Sequence, residues 1–347
     1  MPTTYAIPNG RTVMDATLYT GIAGGTQSIT NQYGFKPDLV WTKVRSGTGD
    51  NFLNDSVRGA ANILVSNTTG AESNLPNYVT AFNSNGFSLG TSSYTSTGNT
   101  VVGWQWQAGQ GTTSSNTSGS ITSTVSANAT AGFSVVTYTG NEVQGATVGH
   151  GLGVAPSFII IKDRTSAQNW VAWQTTLGAS NFLQLNTTAA QSSAAPMFNG
   201  VAPSSTVITL AGGAQSDRFA VNKSGDAYVA YCWSEIAGFS QFGSYTGNGS
   251  ADGPFVYTNF RPSFILQKRS SGVDNWMIHD TRRNPYNLAD ARLMASSSDA
   301  ESTSDNQLDI LSNGFKMRST NTATNQSGET YIYMAFAENP FKFSTAR

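Results

Sequence analysis

Few residues in this chain have types that could carry out acid–base or nucleophilic chemistry. The 347 residues include two histidines, His150 and His279, and one cysteine, Cys232. His279 precedes Asp280, but no Gly-x-Ser-x-Gly turn frames a nucleophile for a Ser-His-Asp group. A lone cysteine within an aromatic strand pattern is typical of a small buried apolar residue. We therefore expect a protein that is not an enzyme and that holds no cofactor.

Acidic side chains are sparse, with 20 Asp and Glu in total. One polar stretch could offer oxygen ligands to Ca²⁺ through Asp299, Glu301, Asp305 and Asp309. Their spacing matches no calcium-binding loop, so we favour a solvated loop and expect no metal site. A glycan-cleaving enzyme would need two carboxylates about 5 to 10 Å apart across a groove, and the acidic residues do not recur in a way that supports one.

Two Asn-Trp pairs are the best candidates for a binding role, Asn169-Trp170 and Asn275-Trp276. An indole face can stack on a sugar ring while the neighbouring amide bonds its hydroxyls, so these four residues are the candidate glycan or partner contacts. Core packing is the favoured alternative for the two tryptophans, because a buried indole contributes a large apolar area.

The composition is that of a protein made of strands and turns. Only 11% of the residues are charged, the net charge is -1, and 38% are hydrophobic, with 18 Phe, 13 Tyr and 7 Trp. The aromatic content supports packed cores rather than disorder, and no run of Lys or Arg exceeds two residues. We therefore expect neither nucleic-acid binding nor membrane insertion.

The chain repeats one pattern three times, which sets its domain organisation. Each copy opens on Tyr-Thr-Gly at Tyr19, Tyr138 or Tyr245. Next comes a proline-led apolar run that ends at Lys43, Lys162 or Lys268, and an arginine follows at Arg45, Arg164 or Arg269. An Asn-aromatic pair comes next, at Asn51-Phe52, Asn169-Trp170 or Asn275-Trp276, and an aromatic strand closes the copy. These recurrent cations could form a site used three times, but we expect them to end strands and to pair with nearby carboxylates such as Asp50 or Asp163.

Short aromatic and β-branched runs separated by turn residues predict an all-β fold of three tandem antiparallel β-sandwich domains, jelly-roll or lectin-like. We place the copies at 1–110 (copy 1), 132–236 (copy 2) and 237–347 (copy 3), with 111–131 as a Ser/Thr/Gly linker or edge strand. Asn-Gly-Phe at residues 85–87 and 313–315 predicts a tight turn into a strand. The best helical candidate, 287–295, predicts at most a short helix.

The same elements resemble a repeat family of tailed-phage virion surface proteins, tail-fibre-like and common in phages of aquatic bacteria. The resemblance rests on the Tyr-Thr-Gly opening, the block at residues 34–43, the Asp-Ser-Val-Arg-Gly segment at 55–59, the block at 83–90 and the aromatic closing strand, and it spans nearly the whole chain. Copy 2 lacks a counterpart of Asp-Ser-Val-Arg, and copy 3 has only Asp280-Thr281-Arg282-Arg283. The family resemblance carries no catalytic residues with it.

The resemblance implies a non-enzymatic bacteriophage structural protein, either a tail fibre or a tail-associated protein for host recognition. The alternative is a head-decoration, or cement, protein of the capsid. Expected partners are other virion proteins, further copies of the chain in a homo-oligomer, with a trimer as the first expectation, and a host cell-surface glycan. The first fifteen residues lack the pattern of a signal peptide, so we expect synthesis in the host cytoplasm and a location in the virion.

Overall fold

The computed structural model of the chain describes residues 5–22, 24–91, 98–213, 215–304 and 307–340. Copy 1 contains β1 (Met14–Thr20), β2 (Gln27–Thr30), β3 (Leu39–Val44), β4 (Asn51–Asp55), β5 (Asn62–Val65), β6 (Ser73–Asn74), β7 (Val79–Asn83), β8 (Gly86–Leu89) and β9 (Thr100–Trp106). Copy 2 and the segment before it contain β10 (Ser114–Asn116), β11 (Ser123–Asn128), β12 (Phe133–Thr139), β13 (Thr147–Gly149), β14 (Phe158–Asp163), β15 (Val171–Gln174), β16 (Leu183–Gln184), β17 (Val207–Thr209) and β18 (Ala227–Trp233). Copy 3 contains β19 (Ser240–Thr246), β20 (Phe255–Tyr257), β21 (Phe260–Arg269), β22 (Met277–Asp280), β23 (Leu293–Met294), β24 (Leu308–Leu311), β25 (Gly314–Met317) and β26 (Thr330–Pro340).

Helical segments in the described residues are single turns. They are 3-10 turns at Gly10–Thr12, Thr175–Leu177 and Ser216–Arg218, with α1 (Phe219–Asn222) and α2 (Thr322–Asn325). The prediction of an all-β, antiparallel fold with little helix is confirmed. The helical candidate at 287–295 was wrong, because the backbone of Ala289 exchanges two hydrogen bonds with Leu308 and the segment ends in β23.

Each copy forms one large antiparallel sheet with the same central strand order. The orders are β1-β9-β3-β4-β5-β6, β10-β11-β12-β18-β14-β15-β16 and β19-β26-β21-β22-β23. The opening strand of each copy therefore pairs with its closing aromatic strand, which pairs in turn with the proline-led strand. The segment 111–131 contributes β10 and β11 to one edge of the second large sheet.

A smaller sheet accompanies each large one. These sheets are β2-β8-β7, β13-β17 and β20-β25-β24. The predicted Asn-Gly turns are confirmed, since Asn83 pairs with Gly86 and Leu311 with Gly314 across two-residue loops. In copies 1 and 2 a separate buried cluster lies between the small and large sheets, containing Phe87 and Val148 respectively.

Each large sheet has a second face, which points away from its small sheet. These three faces meet in one shared core. Its centre is aromatic: the Trp106 ring lies 6.1 Å from Trp233, 5.4 Å from Phe264 and 6.0 Å from Phe336, between ring centroids. Trp106, Trp233 and Phe336 occupy the same register position, opposite Leu39, Phe158 and Phe264. The three copies therefore pack around one pseudo-threefold centre. They share this core, whereas independent tandem domains would each have a core of their own.

Candidate functional site

The two candidate tryptophans are buried between copies. Trp170 is 0% and Trp276 1% exposed. The Trp170 indole donates to the carbonyl of Val65 in copy 1, and the Trp276 indole donates to the carbonyl of Gln184 in copy 2, both at 2.9 Å. Neither ring offers a face to a sugar, and core packing, the interpretation favoured from sequence, describes both.

Asn169 and Asn275 each brace the turn beside their tryptophan. Asn169 Oδ1 accepts a bond from Asn186 at 2.8 Å, and Asn275 Oδ1 accepts one from the Ser296 hydroxyl at 2.9 Å. Strand register shows that Asn51, rather than Phe52, corresponds to the tryptophans, since Thr42 pairs with Phe52 while Ile161 pairs with Val171. The Asn-aromatic alignment of copy 1 was therefore wrong by one residue.

Asn51, at the position of the two tryptophans, joins copy 1 to copy 3, so that the three copies form a closed ring. Asn51 of copy 1 donates Nδ2 to the carbonyls of Met294 and Ser297 in copy 3, at 3.2 and 2.9 Å. Copy 2 therefore contacts copy 1, copy 3 contacts copy 2, and copy 1 contacts copy 3. We call these contacts the first seam (copies 1 and 2), the second seam (copies 2 and 3) and the third seam (copies 3 and 1).

The three recurrent lysines each reach across one seam. Lys162 donates to Thr69 O at 3.1 Å, Lys268 to Thr188 O at 3.2 Å and Lys43 to Ser297 O at 3.1 Å. Each is buried, and burial lowers the pKa of each ammonium from 10.5 to about 8, against the raising effect of nearby aspartates. Their acceptors are backbone carbonyls rather than the carboxylates expected from sequence.

The first seam contains a network of four ionised side chains. Arg58, buried in copy 1, is paired with Asp55 and donates to Glu72 at 2.8 Å. Glu72 also receives two bonds from Arg164 of copy 2, at 2.9 and 2.8 Å. Tyr231 of copy 2 donates to Asp55 at 2.8 Å. Two positive and two negative groups are thus balanced across this seam.

The third seam repeats that network at corresponding positions. Arg283 is paired with Asp280 at 2.6 Å and with Glu301 at 3.1 Å. Glu301 receives two bonds from Arg45 of copy 1, at 2.9 and 2.7 Å. The indole of Trp104, the counterpart of Tyr231, donates to Asp280 at 3.0 Å.

The second seam has uncharged residues at all four positions. They are Gln174, Leu177, Gln191 and Ser270. The backbone contact is kept, because Gln191 N donates to Ser270 O at 2.8 Å as Glu72 N donates to Arg164 O. The match of Arg269 with Arg45 and Arg164 was therefore wrong: Ser270 is the counterpart, and Arg269 pairs with Glu329 of its own copy at 3.0 Å.

The arginines set the acidity of the network carboxyls. Burial raises the pKa of Glu72 and Glu301, but bonds from Arg164 and Arg45 and the charges of Arg58 and Arg283 outweigh it and hold both pKa values below 4.5. Burial also raises the pKa of Asp280, yet Arg283 and Trp104 bring it below its ordinary value. All three carboxyls are therefore ionised at neutral pH.

Asn169 also lines a cavity of about 330 Å³ that lies in copy 2. Its buried floor includes Val171, Phe182 and Met197, and its rim carries Gln168 and Asp217. Small residues of the loop after β16 form another wall: Ala189, Ala190, Ser192, Ala194 and Ala195. The volume lies at the lower end of the range for ligand pockets.

Two aromatic side chains are exposed on the small sheet of copy 3. Phe255 is 45% and Tyr257 55% exposed on the outer face of the small sheet. Register places Ser28 and Thr30 at the same positions in copy 1, because Ile29 and Val256 both pair with the phenylalanine of Asn-Gly-Phe. This outer face is hydroxyl-bearing in copy 1 and aromatic in copy 3.

The other chemically reactive residues are used structurally. His150 is buried and donates Nε2 to Ser204 O at 3.1 Å, while Nδ1 accepts from Leu152 N, which fits a neutral ring; burial lowers its pKa. Asp280 is bound to Arg283 rather than to the neighbouring His279. Cys232 is fully buried, and burial raises the pKa of its thiol to about 12.

Two acidic side chains of the candidate calcium-binding stretch in copy 3 form ion pairs with arginines. Glu301 pairs with Arg283 and Arg45, and Asp309 lies 3.4 Å from Arg318. Asp305 lies outside the described residues. Across the described ranges, no group of three or more His, Cys, Asp or Glu side chains could hold a metal ion.

A family model for a domain of unknown function, DUF7483, matches residues 10–340. The chain belongs to the DUF7483 family. No curated protein and no solved structure matches it. The part of this DUF7483 chain that the structure describes contains no helix long and apolar enough to cross a membrane.

Proposed function

We propose that this chain is a non-enzymatic structural protein of a bacteriophage particle, a tail fibre or a tail-associated protein for host recognition. The resemblance of its repeats to virion surface proteins supports the biological setting. The observation that carries a structural role is the closed ring: backbone carbonyls, indoles and two ionic networks join the copies, so that charged residues serve assembly of the chain.

Within this proposal, each large sheet with its small sheet is a β-sandwich lobe of the jelly-roll or lectin-like kind. The buried clusters between the two layers in copies 1 and 2 support that description. The shared aromatic core holds the lobes in fixed positions. Surface residues outside this core can therefore differ from one copy to the next. The cavity of copy 2 and the exposed aromatics of copy 3 are such features.

The cavity of copy 2 is where we place contact with a host cell-surface glycan. Amide groups of Gln168, Asn169 and Gln184 and the carboxylate of Asp217 line it, and these groups bond hydroxyls in both directions. The apolar floor suits the carbon face of a sugar ring. This assigns the candidate glycan contact to Asn169 rather than to Trp170, Trp276 or Asn275.

A glycan-binding screen followed by titration of two matched variants tests this site. Asn169→Ala removes an amide that lines the cavity, whereas Asn275→Ala removes the amide at the corresponding turn of copy 3, outside the cavity. We expect Asn169→Ala to weaken binding about tenfold, the effect of losing one good polar contact, and Asn275→Ala to leave it unchanged. Equal loss in both variants, or no glycan binding by the intact protein, would contradict the assignment.

The pseudo-threefold ring also favours the second candidate, a head-decoration protein, because a threefold body matches the threefold positions of a symmetric shell. Cryo-electron microscopy of the particle separates the two candidates: density at the tail supports the first, and density across the shell supports the second. Absence of the chain from purified particles contradicts both.

The exposed Phe255 and Tyr257 are the surface we propose for self-association in the expected homo-oligomer. Light scattering of the intact protein and of Tyr257→Thr, which restores the residue type of copy 1, tests it. We expect the variant to dissociate at concentrations where the intact protein is oligomeric. A monomeric intact protein would overturn this assignment.

A further inference from the structure

A second pocket, of about 160 Å³, lies where copy 3 meets the start of copy 1. Its lining includes the arginines Arg11, Arg261 and Arg282, with Thr281, Pro285 and Glu338. Arg11 belongs to the first 3-10 turn, Arg261 to β21, and Thr281 and Arg282 to the turn after β22. Three guanidinium groups from separate parts of the chain therefore converge on one small space.

The acidic side chains around this pocket do not balance the arginines. Glu338 pairs with both Arg11 and Arg261. Asp15, which does not line the pocket, also interacts electrostatically with Arg11 and Arg282, and its oxygens are bonded by Gln32 N and Nε2 at 2.9 and 3.2 Å. The lining thus contains three arginines and one carboxyl, and an excess of positive charge remains.

Two groups that line the pocket have donors to spare. Arg282 donates Nε to Ala16 O at 3.2 Å, and its terminal nitrogens make no hydrogen bond to the described residues. Thr281 is 6% exposed, and its hydroxyl has no partner in the described part of the chain. A buried hydroxyl without a partner is rare, because losing its bonds to water costs about 1 to 3 kcal/mol.

Copy 1 shows what a hydroxyl at this position binds. Ser56 corresponds to Thr281, because Ser56 N bonds Asp38 O as Thr281 N bonds Ser263 O. The Ser56 hydroxyl donates to the Asp38 carboxylate at 2.6 Å. Copy 3 has Ser263 where copy 1 has that carboxylate, so the described residues supply no counterpart of the Asp38 acceptor to Thr281.

We infer that the pocket formed by Arg11, Arg261, Thr281 and Arg282 binds an oxyanion, namely a phosphate, sulfate or carboxylate group of a ligand. Guanidinium groups bond such oxyanions through paired N–H donors, and the volume exceeds the roughly 30 Å³ that one water occupies. Arg282 and Thr281 supply the unused donors, while Arg11 and Arg261, held by Glu338, add positive charge. This inference does not depend on the proposed virion role.

Calorimetric titration of the full chain at constant ionic strength tests the site, with inorganic phosphate, inorganic sulfate and glucuronate as separate probes. Glucose serves as the uncharged control. We expect saturable binding of at least one oxyanion at a stoichiometry of one and none of glucose. The strongest of the three probes identifies the source of the oxyanion, a phosphate, a sulfate ester or an acidic sugar.

Three variants assign the binding to this pocket. Arg282→Gln removes the guanidinium with its two unused terminal nitrogens, and Thr281→Val removes the hydroxyl while keeping the side-chain shape. Lys36→Gln is the matched control, because Lys36 precedes Pro37 in copy 1 as Arg261 precedes Pro262 in copy 3, it does not line the pocket, and the same unit of charge is lost.

We expect Arg282→Gln to weaken binding about tenfold or more, Thr281→Val about threefold to tenfold, and Lys36→Gln less than twofold. Thermal unfolding without ligand shows whether each variant is folded. Equal weakening in all three variants, unchanged affinity in folded Arg282→Gln and Thr281→Val, or no saturable binding of any probe overturns the inference.

Discussion

The first and third seams join their copies through buried ions, whereas the second seam makes the same backbone contacts without them. Asp55, Arg58, Glu72 and Arg164 in the first seam correspond to Gln174, Leu177, Gln191 and Ser270 in the second. All four positions change together. A lone charge left in such a buried site would be costly, so the network is kept or lost as a unit.

The shared backbone contacts show what the ring needs at every seam. The lysine-to-carbonyl bond and the contact made by Asn51, Trp170 or Trp276 occur at all three. The ionic network is an addition to two of them. Because a buried ion pair and well-packed neutral residues of similar volume often stabilise about equally, both kinds of seam can hold the copies together.

The largest effect should follow from Arg58→Leu. This single change gives the first seam the leucine that the second seam has at the corresponding position, Leu177. Asp55, which is fully buried, and Glu72 would then both lack the Arg58 guanidinium. We expect a loss of about 3 to 5 kcal/mol in the free energy of unfolding, the usual cost of breaking a buried pair. Urea denaturation measures it, and a loss under 1 kcal/mol would show that the network is not buried as described.

The reverse change, Leu177→Arg, should cost less but remain clearly destabilising. Leu177 is 6% exposed, and the neighbouring Gln174 and Gln191 offer no carboxylate to a buried guanidinium. We expect a loss of about 2 to 3 kcal/mol, because part of the flexible side chain can reach water. Adding Gln174→Asp and Gln191→Glu should recover most of it, and failure of that recovery would weaken the correspondence of the two seams.

Replacing the whole first-seam network should have a small effect. The fourfold variant is Asp55→Gln, Arg58→Leu, Glu72→Gln and Arg164→Ser. We expect its free energy of unfolding to lie within about 1 to 2 kcal/mol of the original, since all partners are removed at once. A loss as large as that of Arg58→Leu alone would contradict the idea that the network acts as a unit.

The smallest expected effect is a difference in how acid changes the stability of the original chain and of the fourfold variant. Glu72, Glu301 and Asp280 have pKa values in the folded state below their ordinary values, so the unfolded chain binds more protons as the pH falls through about 4.5. Their stabilising contribution is therefore present at neutral pH and is lost on acidification. Comparing unfolding midpoints at pH 7 and pH 4, we expect a smaller drop in the fourfold variant than in the original chain. Equal drops would exclude Glu72 as a cause.

Local patterns in the sequence were sufficient to predict the main strands of each copy, the two Asn-Gly turns and the threefold repeat. Short apolar runs bounded by proline and by Asn-Gly mark β3, β14 and β21 and the two hairpin turns, because those features depend on neighbouring residues alone. The two alignment errors came from matching residue types instead of spacing. Arg269 and the Asn-aromatic pair of copy 1 each slipped by one residue, which in a strand moves a side chain to the opposite face.

The ring itself depends on contacts between residues far apart in the chain. No local pattern places Arg45 beside Glu301 or Trp104 beside Asp280. One signal was available: Asp-x-x-Arg occurs in copies 1 and 3, and copy 2, which lacks it, also has Gln191 where copies 1 and 3 have Glu72 and Glu301. The cavity holding Asn169 depends on the long loop after β16, whose course the composition does not fix.

The central claim is that the last copy closes onto the first as consecutive copies join each other. A double-mutant cycle of Arg45→Ala and Glu301→Ala, compared with Arg164→Ala and Glu72→Ala, tests it most directly. The closed ring predicts a coupling energy of about 1 kcal/mol in each cycle, typical of a partly buried bidentate pair. Additive losses for Arg45 and Glu301, beside clear coupling of Arg164 and Glu72, would mean that the ring is open.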